Sequence, residues 1–581
     1  MTFTPEDAPW WTGAVVYQIY PRSFQDSDGD GVGDLRGVLQ RVDHLADLGV
    51  DVVWFSPVYR SPQDDNGYDI SDYQDVDPLF GTLEDLDEVV SALHARDIKV
   101  VMDLVVNHTS DEHPWFVESR SSKDSPKRDW YWWRPARPGM EPGTPGAEPT
   151  NWGSFFSGPT WEYDEATGEY YLHLFSRKQP DLNWENPEVR QAVYAMMRWW
   201  LDRGIDGFRM DVINLISKVV GEDGSLADGP ATTGALGDGS AQYVHGPRLH
   251  EFLQEMHREV FDGRRDGLLL VGETPGATVE DGVLFTDPRR RELDMVFTFE
   301  HMGLDHGPGG KFDPRPFDLR DLKAVLGRWQ AGLEKTGWNA LYWDNHDQPR
   351  VVSRFGDDGE HRRDSATMLA TVLHLHRGTP YVYQGEELGM TNAHLGSFDG
   401  YRDIESLRHV EQARRLGLAT DEQLLAGLAA ASRDNARTPV QWDSSEHAGF
   451  TTGTPWIGVN PDHVTVNAEA ERADPRSVLH HYRRLIALRH DDVTVRLGDF
   501  TMLLPDDPHV YAFTRELDGD ALLVLGNFSA EEQPVEVPGR WDGAQVVLGN
   551  LDEPAVPHDG RALLRPWEAV VLRARGTGTA G

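Results

Sequence analysis

The feature that most restricts what this chain can become is an alternation of two patterns. Short runs rich in β-branched residues are each followed by a longer segment with apolar residues at helical spacing. Val15 to Ile19, Val52 to Phe55 and Lys99 to Leu104 read as strands, with helices over Leu35 to Leu48 and Leu83 to Ala95 between them. The alternation resumes with a helix from Pro187 to Asp202, its proline suited to a first turn. It continues through strands near Gly207–Asp211, Leu268–Gly272, Met295–Phe299, Ala340–Trp343 and Tyr381–Tyr383, and a last helix around Ser477–Arg489. Eight strand-helix units predict the α/β class, as a (β/α)8 TIM barrel.

Two stretches depart from the pattern. Residues 108–180 are rich in Trp, Pro, Gly and Ser, too long for a structureless loop, and predict a subdomain inserted after the third strand. Beyond about Asp492 strands alternate without helices, as in Val510 to Thr514, Ala521 to Leu525 and Ala569 to Leu572, which predicts a small antiparallel β-sandwich ending in a frayed tail, Gly576 to Gly581. The expected division is a barrel over 1–107 and 181–491, the insertion over 108–180 and the β domain over 492–581.

Composition excludes several classes of function. At 39% hydrophobic residues the chain is globular, not disordered. With 96 acidic against 55 basic side chains its formal net charge is −41, which repels nucleic acids and anionic membranes, so neither is an expected partner. The absence of cysteine removes disulfides, thiolate metal sites and cysteine nucleophiles, and fits a reducing cytoplasm. The first residues have neither the basic start nor the apolar stretch of a signal peptide, and no apolar run reaches membrane-spanning length. A soluble, cytoplasmic protein is expected.

In barrels of this kind chemistry sits at the carboxyl ends of the strands. Asp103-Leu-Val-Val-Asn107-His108 follows the third strand, Gly207-Phe-Arg209-Met-Asp211 the fourth, Gly272-Glu273 the fifth and Asn345-His346-Asp347 the seventh. Asp211, Glu273 and Asp347 thus converge on one face. Arg209 and Asp211, two apart on a strand, point the same way, so the guanidinium is expected to hold that carboxylate's pKa low. Glu273, enclosed among other acids, is expected to be raised.

These residues, with Tyr17-Gln-Ile-Tyr-Pro-Arg-Ser-Phe24, Asp65-Asn-Gly-Tyr68-Asp-Ile, Gln179-Pro-Asp-Leu-Asn183 and Arg433-Asp-Asn-Ala-Arg437-Thr-Pro-Val-Gln-Trp442, closely resemble the α-amylase superfamily, glycoside hydrolase family thirteen, in its oligo-1,6-glucosidase and α-glucosidase branch. The resemblance covers essentially the whole chain. It implies a retaining, exo-acting α-glucosidase in which Asp211 is the nucleophile, Glu273 the acid/base and Asp347 a sugar-binding carboxylate. It implies that His108 and His346 bind hydroxyls at the same subsite, and that Asp65 and Tyr68 close the pocket around the non-reducing glucose. Arg437 is the expected neighbour of the catalytic carboxylates and Arg433 its rival, a choice that spacing does not make. The partners implied are small α-glucoside oligosaccharides. Val212, next after the nucleophile, goes in this family with α-1,6 preference. The alternatives are an α-1,4-preferring or broad α-glucosidase or transglucosidase, a sucrose- or trehalose-type isomerase, and a non-catalytic binding protein. Isomerisation is disfavoured because Phe317-Asp-Leu-Arg320-Asp-Leu322 does not match the isomerases' Arg-Leu-Asp-Arg-Asp loop.

Asp26-Ser-Asp28-Gly-Asp30-Gly-Val32-Gly-Asp34 spaces carboxylates at alternate positions, with glycines permitting a tight wrap suited to a hard cation. The twelfth position is Gly37, so this is no EF-hand. The family resemblance implies a structural Ca2+ or Mg2+ held by Asp26, Asp28, Asp30, the Val32 carbonyl and Asp34, and no cofactor for catalysis.

Overall fold

The computed structural model describes residues 3–232, 236–264, 267–393 and 395–575; the tail expected over 576–581 lies outside the described residues. Eight parallel strands close into a barrel: β1 (Val16–Ile19), β2 (Val52–Phe55), β3 (Lys99–Leu104), β4 (Gly207–Met210), β5 (Leu269–Glu273), β6 (Met295–Phe297), β7 (Asn339–Leu341) and β8 (Thr379–Tyr383). Each pairs with its sequence neighbour, and β8 pairs with β1. Strands β4, β6 and β7 end earlier than the sequence pattern suggests. Asp211 and the run Asp344 to Asp347 therefore leave the ladder and stand over the barrel mouth.

The period of two along each strand separates two cores. Val16, Val52, Trp54, Val101, Val271, Met295, Phe297 and Ala340 fill the barrel interior. Their neighbours Tyr17, Val53, Phe55, Val100, Phe208, Leu270 and Val296 face outward onto the helical layer. At about 1.5–3 kcal/mol for each fully buried aliphatic or aromatic side chain, both faces contribute heavily to stability. The helices begin where their sequence says: Asp34 caps Leu35–Leu48 through the Gly37 N–H, and Thr82 with Asp85 forms a capping box on Leu83–His94.

Following β3, a helix (Pro114–Arg120) and a three-stranded antiparallel sheet (Trp133–Arg134, Glu169–Leu172, Trp161–Asp164) form a separate aromatic layer. Its neck is closed by bridges pairing His108 with Asp181 and Tyr131 with Leu182. Between β8 and the helix Val478–Asp491 a second excursion holds helices Ile404–Leu416, Asp421–Ala431 and Asp434–Arg437. The end of the chain forms a five-stranded antiparallel sheet and a facing two-stranded sheet, Gln533–Glu536 with Arg561–Leu564. Val510, Leu523 and Leu572 of the first meet Val535 and Leu564 of the second. No helix among the described residues is long and apolar enough to cross a membrane.

Gly207 opens β4 at φ +144°, and a Cβ there would come within 2.0 Å of the Leu269 carbonyl oxygen on β5. Only glycine permits that approach. Gly207→Ala is expected to cost at least about 3 kcal/mol by forcing β4 and β5 apart, read as a marked fall in the thermal unfolding midpoint; an unchanged midpoint would contradict this account of the β4–β5 seam.

Candidate active site

The inward positions at the ends of β3, β4 and β5 are Asp103, Arg209 and Glu273, with Asp211 one residue beyond β4. Arg209 is fully buried among them. Its Nη1 donates to Asp103 Oδ1 at 3.0 Å and to Asp211 Oδ1 at 2.6 Å, while Nη2 lies 2.8 Å from Glu273 Oε2. The indole of Trp54 lies beneath it, 5.0 Å from the guanidinium carbon, and donates to Asp103 Oδ2 at 3.2 Å. One planar cation thus holds three carboxylates in a fixed fan.

Burial raises the Asp211 carboxyl to about 7, although Arg209 opposes the rise. This corrects the expectation that Arg209 keeps it low: removal from water outweighs one guanidinium whose charge is divided among three carboxylates. Glu273, raised by burial and by Asp211 and Asp347 against the pull of Arg209, reaches about 8. The order is the one a nucleophile and a proton donor require, the donor titrating last.

Val212 adopts a left-handed backbone, φ 35° and ψ 40°, which is strained for a β-branched residue. That conformation turns its N–H onto Glu273 Oε2 at 3.0 Å. Its side chain joins the aromatic cluster of the insertion with Trp132, Trp152 and Leu215. Val212 therefore links the layer that covers the mouth to the orientation of Glu273.

Around this centre the structure gathers the other sequence-identified residues. His346 takes Gln18 Nε2 on its Nδ1 at 2.8 Å, and its ring stacks on Tyr68 with centroids 5.2 Å apart. His346 Nε2 is buried and makes no hydrogen bond, though it lies 3.4 Å from Asp347 Oδ2; it is a donor that a sugar hydroxyl would satisfy. Burial pushes His346 to about 3 and His108 to about 4, so both act as neutral imidazoles. Tyr68 donates to Asp103 Oδ2 at 3.0 Å, and His108 Nε2 lies 3.2 Å from the Tyr68 carbonyl and 3.3 Å from Gln179 Nε2. Both arginines of the late motif face inward, which removes the rivalry between them. Arg437 Nη2 donates to Asp347 Oδ1 at 2.8 Å, and Arg433 reaches Asp347 Oδ1 at 3.2 Å and Asp65 Oδ1 at 3.1 Å. Burial alone would raise Asp347. The neighbouring His346, and after it the guanidiniums of Arg433 and Arg437, hold it well below the carboxylate range.

Some residues of this frame escaped the sequence. Asp403, fully buried at the start of the helix Ile404–Leu416, accepts from Arg433 Nη2 at 2.5 Å and from Arg437 Nη1 at 3.3 Å. In sequence it is one more helix cap. Lys218, also buried, pairs with Asp181 at 2.8 Å and donates to Asn107 Oδ1 at 3.1 Å, behind His108. Gln18 could have been found, being the polar residue at an inward position of β1.

The acidic loop lies apart from this centre. Oxygen atoms of Asp26, Asp28 and Asp34 come within 4.8 Å of one another. Asp30 is not in that group; its Oδ1 accepts the Val32 N–H at 2.8 Å instead. None of the three grouped carboxylates has a lysine or arginine partner among the described residues, and all offer hard oxygen ligands. The residues fit a divalent cation.

Residues 18–498 match the family described as alpha amylase, catalytic domain, and residues 500–570 the maltogenic amylase C-terminal domain. The chain belongs to the α-amylase family. It is a glycoside hydrolase of the α-glucosidase type. An oligo-1,6-glucosidase of Parageobacillus thermoglucosidasius is 55% identical over 570 residues, covering 97% of this chain and 99% of that one. A trehalose-6-phosphate hydrolase of Bacillus subtilis is 50% identical, covering 98% and 99%. The crystal structure of the trehalose-6-phosphate hydrolase of Bacillus licheniformis superposes with a TM-score of 0.90 at 46% identity, covering 98% of this chain and 100% of that one.

If Asp211 reacts ionised and Glu273 protonated, as the family resemblance implies, kcat/KM should follow a bell with an acidic limb near 7 and an alkaline limb near 8, as apparent values of an interacting pair. With p-nitrophenyl α-glucoside, whose leaving group needs little protonation, Glu273→Gln should lose the alkaline limb and keep the acidic one. An acidic limb near the ordinary carboxylate value of about 4 would overturn the assignment.

Proposed function

We propose that this α-amylase family member is a retaining, exo-acting α-glucosidase that releases the terminal non-reducing glucose of short α-glucosides, α-1,6 bonds first. Asp211 is the nucleophile, Glu273 the acid/base and Asp347 the carboxylate that holds the sugar. The observation that carries this reading is the single guanidinium of Arg209 bonded at once to Asp211 and Glu273. Two carboxyls on one such fork suit the separation of about 5–5.5 Å used for direct attack, not the roughly 6.5–9.5 Å that leaves room for an interposed water.

In the first step an Asp211 oxygen attacks the anomeric carbon while Glu273 delivers its proton to the glycosidic oxygen, and the bond to the leaving sugar breaks. The glucosyl ester on Asp211 is then attacked by water, whose proton returns to the Glu273 carboxylate, and glucose leaves with its α configuration after two inversions. Asp347, kept anionic by Arg433 and Arg437, suits the ring hydroxyls, and Nε2 of His346, 3.4 Å from Asp347 Oδ2, is placed to donate beside it. The ion pair of Arg433 with Asp65, backed by Gln179 on Asp65 at 3.1 Å and by Phe156 under the guanidinium, walls off one end, which favours exo action. The relative named oligo-1,6-glucosidase, together with Val212 at the position after the nucleophile, supports the linkage preference. Against isomerisation, the segment 317–322 lacks the isomerases' Arg-Leu-Asp-Arg-Asp sequence, and its Asp318 caps the helix Leu319–Leu333.

Across isomaltose, maltose, sucrose, trehalose, trehalose 6-phosphate and dextran, isomaltose is expected to exceed maltose by at least about tenfold in kcat/KM, roughly 1.4 kcal/mol, and the first-released glucose to be the α anomer. Asp211→Ala should lower turnover by at least about 10^4-fold, and Val212→Thr should narrow the isomaltose-to-maltose ratio. Maltose cleaved faster than isomaltose would remove the linkage preference. Trehalose 6-phosphate cleaved fastest would replace the substrate class and leave the mechanism standing.

For the acidic loop we assign Ca2+ or Mg2+ with a structural role. Asp26 is tied to the 450–454 segment through the Phe450 carbonyl and the Thr451 hydroxyl, so a cation there would clamp two distant stretches of chain. Exhaustive chelation should lower the thermal midpoint by several degrees, restored by Ca2+ or Mg2+, with kcat at 25 °C unchanged. A loss of kcat without a loss of stability would refute the structural role.

A further inference from the structure

Beneath the loop that carries His346 and Asp347 lies a carboxyl pair that the reaction does not use. Asp344 follows β7 and Glu386 follows β8; they are only 2% and 3% exposed, and their side chains lie in hydrogen-bond contact. Every other polar contact of the two is of one kind. Asp344 Oδ2 accepts the Val351 N–H at 3.0 Å, while Glu386 accepts the Tyr482 hydroxyl at 2.6 Å and the Tyr383 N–H at 3.3 Å. Asp344 Oδ1 has no donor at all.

The charged neighbours do not supply one. Arg350, the nearest cation, spends Nη1 on the Gln384 carbonyl and Nη2 on the Ala436 carbonyl, and its Nε bonds neither carboxyl. The other carboxylate nearby, Glu387, is held by His44 and Tyr17, each at 2.9 Å. Two buried carboxyls in contact with no cation on either cannot both be ionised. The missing donor is a proton.

We propose that Asp344 and Glu386 share one proton in the folded protein, and that this acid pair is the positioning element for the His346–Asp347 loop. Asp344 spans the loop by bonding Val351, and Glu386 fastens that span to the end of β8 and, through Tyr482, to helix Val478–Asp491. Inside the span Asn345 Oδ1 accepts the Asp347 N–H at 2.7 Å, so the orientation of Asp347 depends on it. The kinetic consequence rests on the reading of Asp347 as the sugar-binding carboxylate; the shared proton does not.

Asp344→Asn tests the proton directly, because its amide can place a permanent N–H where the shared proton stands while its oxygen keeps the Val351 bond. The native pair retains a proton that unfolded carboxyls, with pKa near 4, release. Wild-type stability therefore falls with rising pH between that value and the pair's own titration, and the fall is absent in Asp344→Asn. The thermal midpoint of the variant relative to wild type is expected to rise by about 1 °C per pH unit from 5 to 8. A protonated-carboxyl carbonyl band in the infrared at pH 8 should diminish in the variant, and kcat/KM on isomaltose at pH 7 should stay within about twofold. Asp344→Ala, which breaks the span, should raise KM at least about tenfold. A midpoint difference flat in pH, or an infrared band identical in both proteins, would overturn the shared proton. A KM unchanged in Asp344→Ala would overturn the positioning role alone. Should Asp344→Asn fail to fold, Glu386→Gln carries the same infrared and pH comparison, its amide donating to Asp344 Oδ1.

Discussion

Everything at the mouth of this barrel depends on one buried cation. Arg209 sits on β4 with Asp103, Asp211 and Glu273 around its fork and Trp54 beneath it. A charge so enclosed is tolerable only because carboxylates surround it, and each carboxylate is tolerable only because the guanidinium is there. The same bonds fix where Asp211 and Glu273 stand relative to each other. They leave both carboxyls raised, which lets one be ionised and the other protonated near neutrality.

A second layer of charge surrounds the first. The strand ends supply mostly acids, and the cations that balance Asp65, Asp347 and Asp403 come from far along the chain, as Arg433 and Arg437 in the excursion after β8. That excursion closes the site electrostatically, and the insertion after β3 closes it sterically. Val212 joins the two effects, packing its side chain into the insertion while its strained backbone directs an N–H at Glu273. A chain with a net charge of −41 thus keeps its reactive centre locally paired.

Much of this was legible in the sequence, for reasons that concern range. The barrel strands were visible because both faces of each are buried, and Arg209 and Asp211 fall on one side of β4 by a local rule of alternation. The motif after β7 likewise announced its carboxylate and histidine. Asp403 was not legible: it caps a helix, as many aspartates do, and its role arises only when that helix start folds against Arg433. The pairing of Lys218 with Asp181 and the contact of Asp344 with Glu386 are hidden for the same cause. The raised pKa of Asp211 is not legible either, because sequence displays the neighbouring Arg209 charge and conceals the loss of water.

The sequence by itself determined the barrel, the strand ends that carry carboxylates and the family to which they belong, because these follow from periodicity and short motifs acting over a few residues. Tertiary structure alone decided that both late arginines face Asp347, that Val212 takes a left-handed turn onto Glu273, and that Asp30 stands outside the carboxylate group of its loop. Those outcomes depend on burial and on contacts between residues tens to hundreds of positions apart, where electrostatic strength is set by the exclusion of water, a quantity that exists only once the chain has folded.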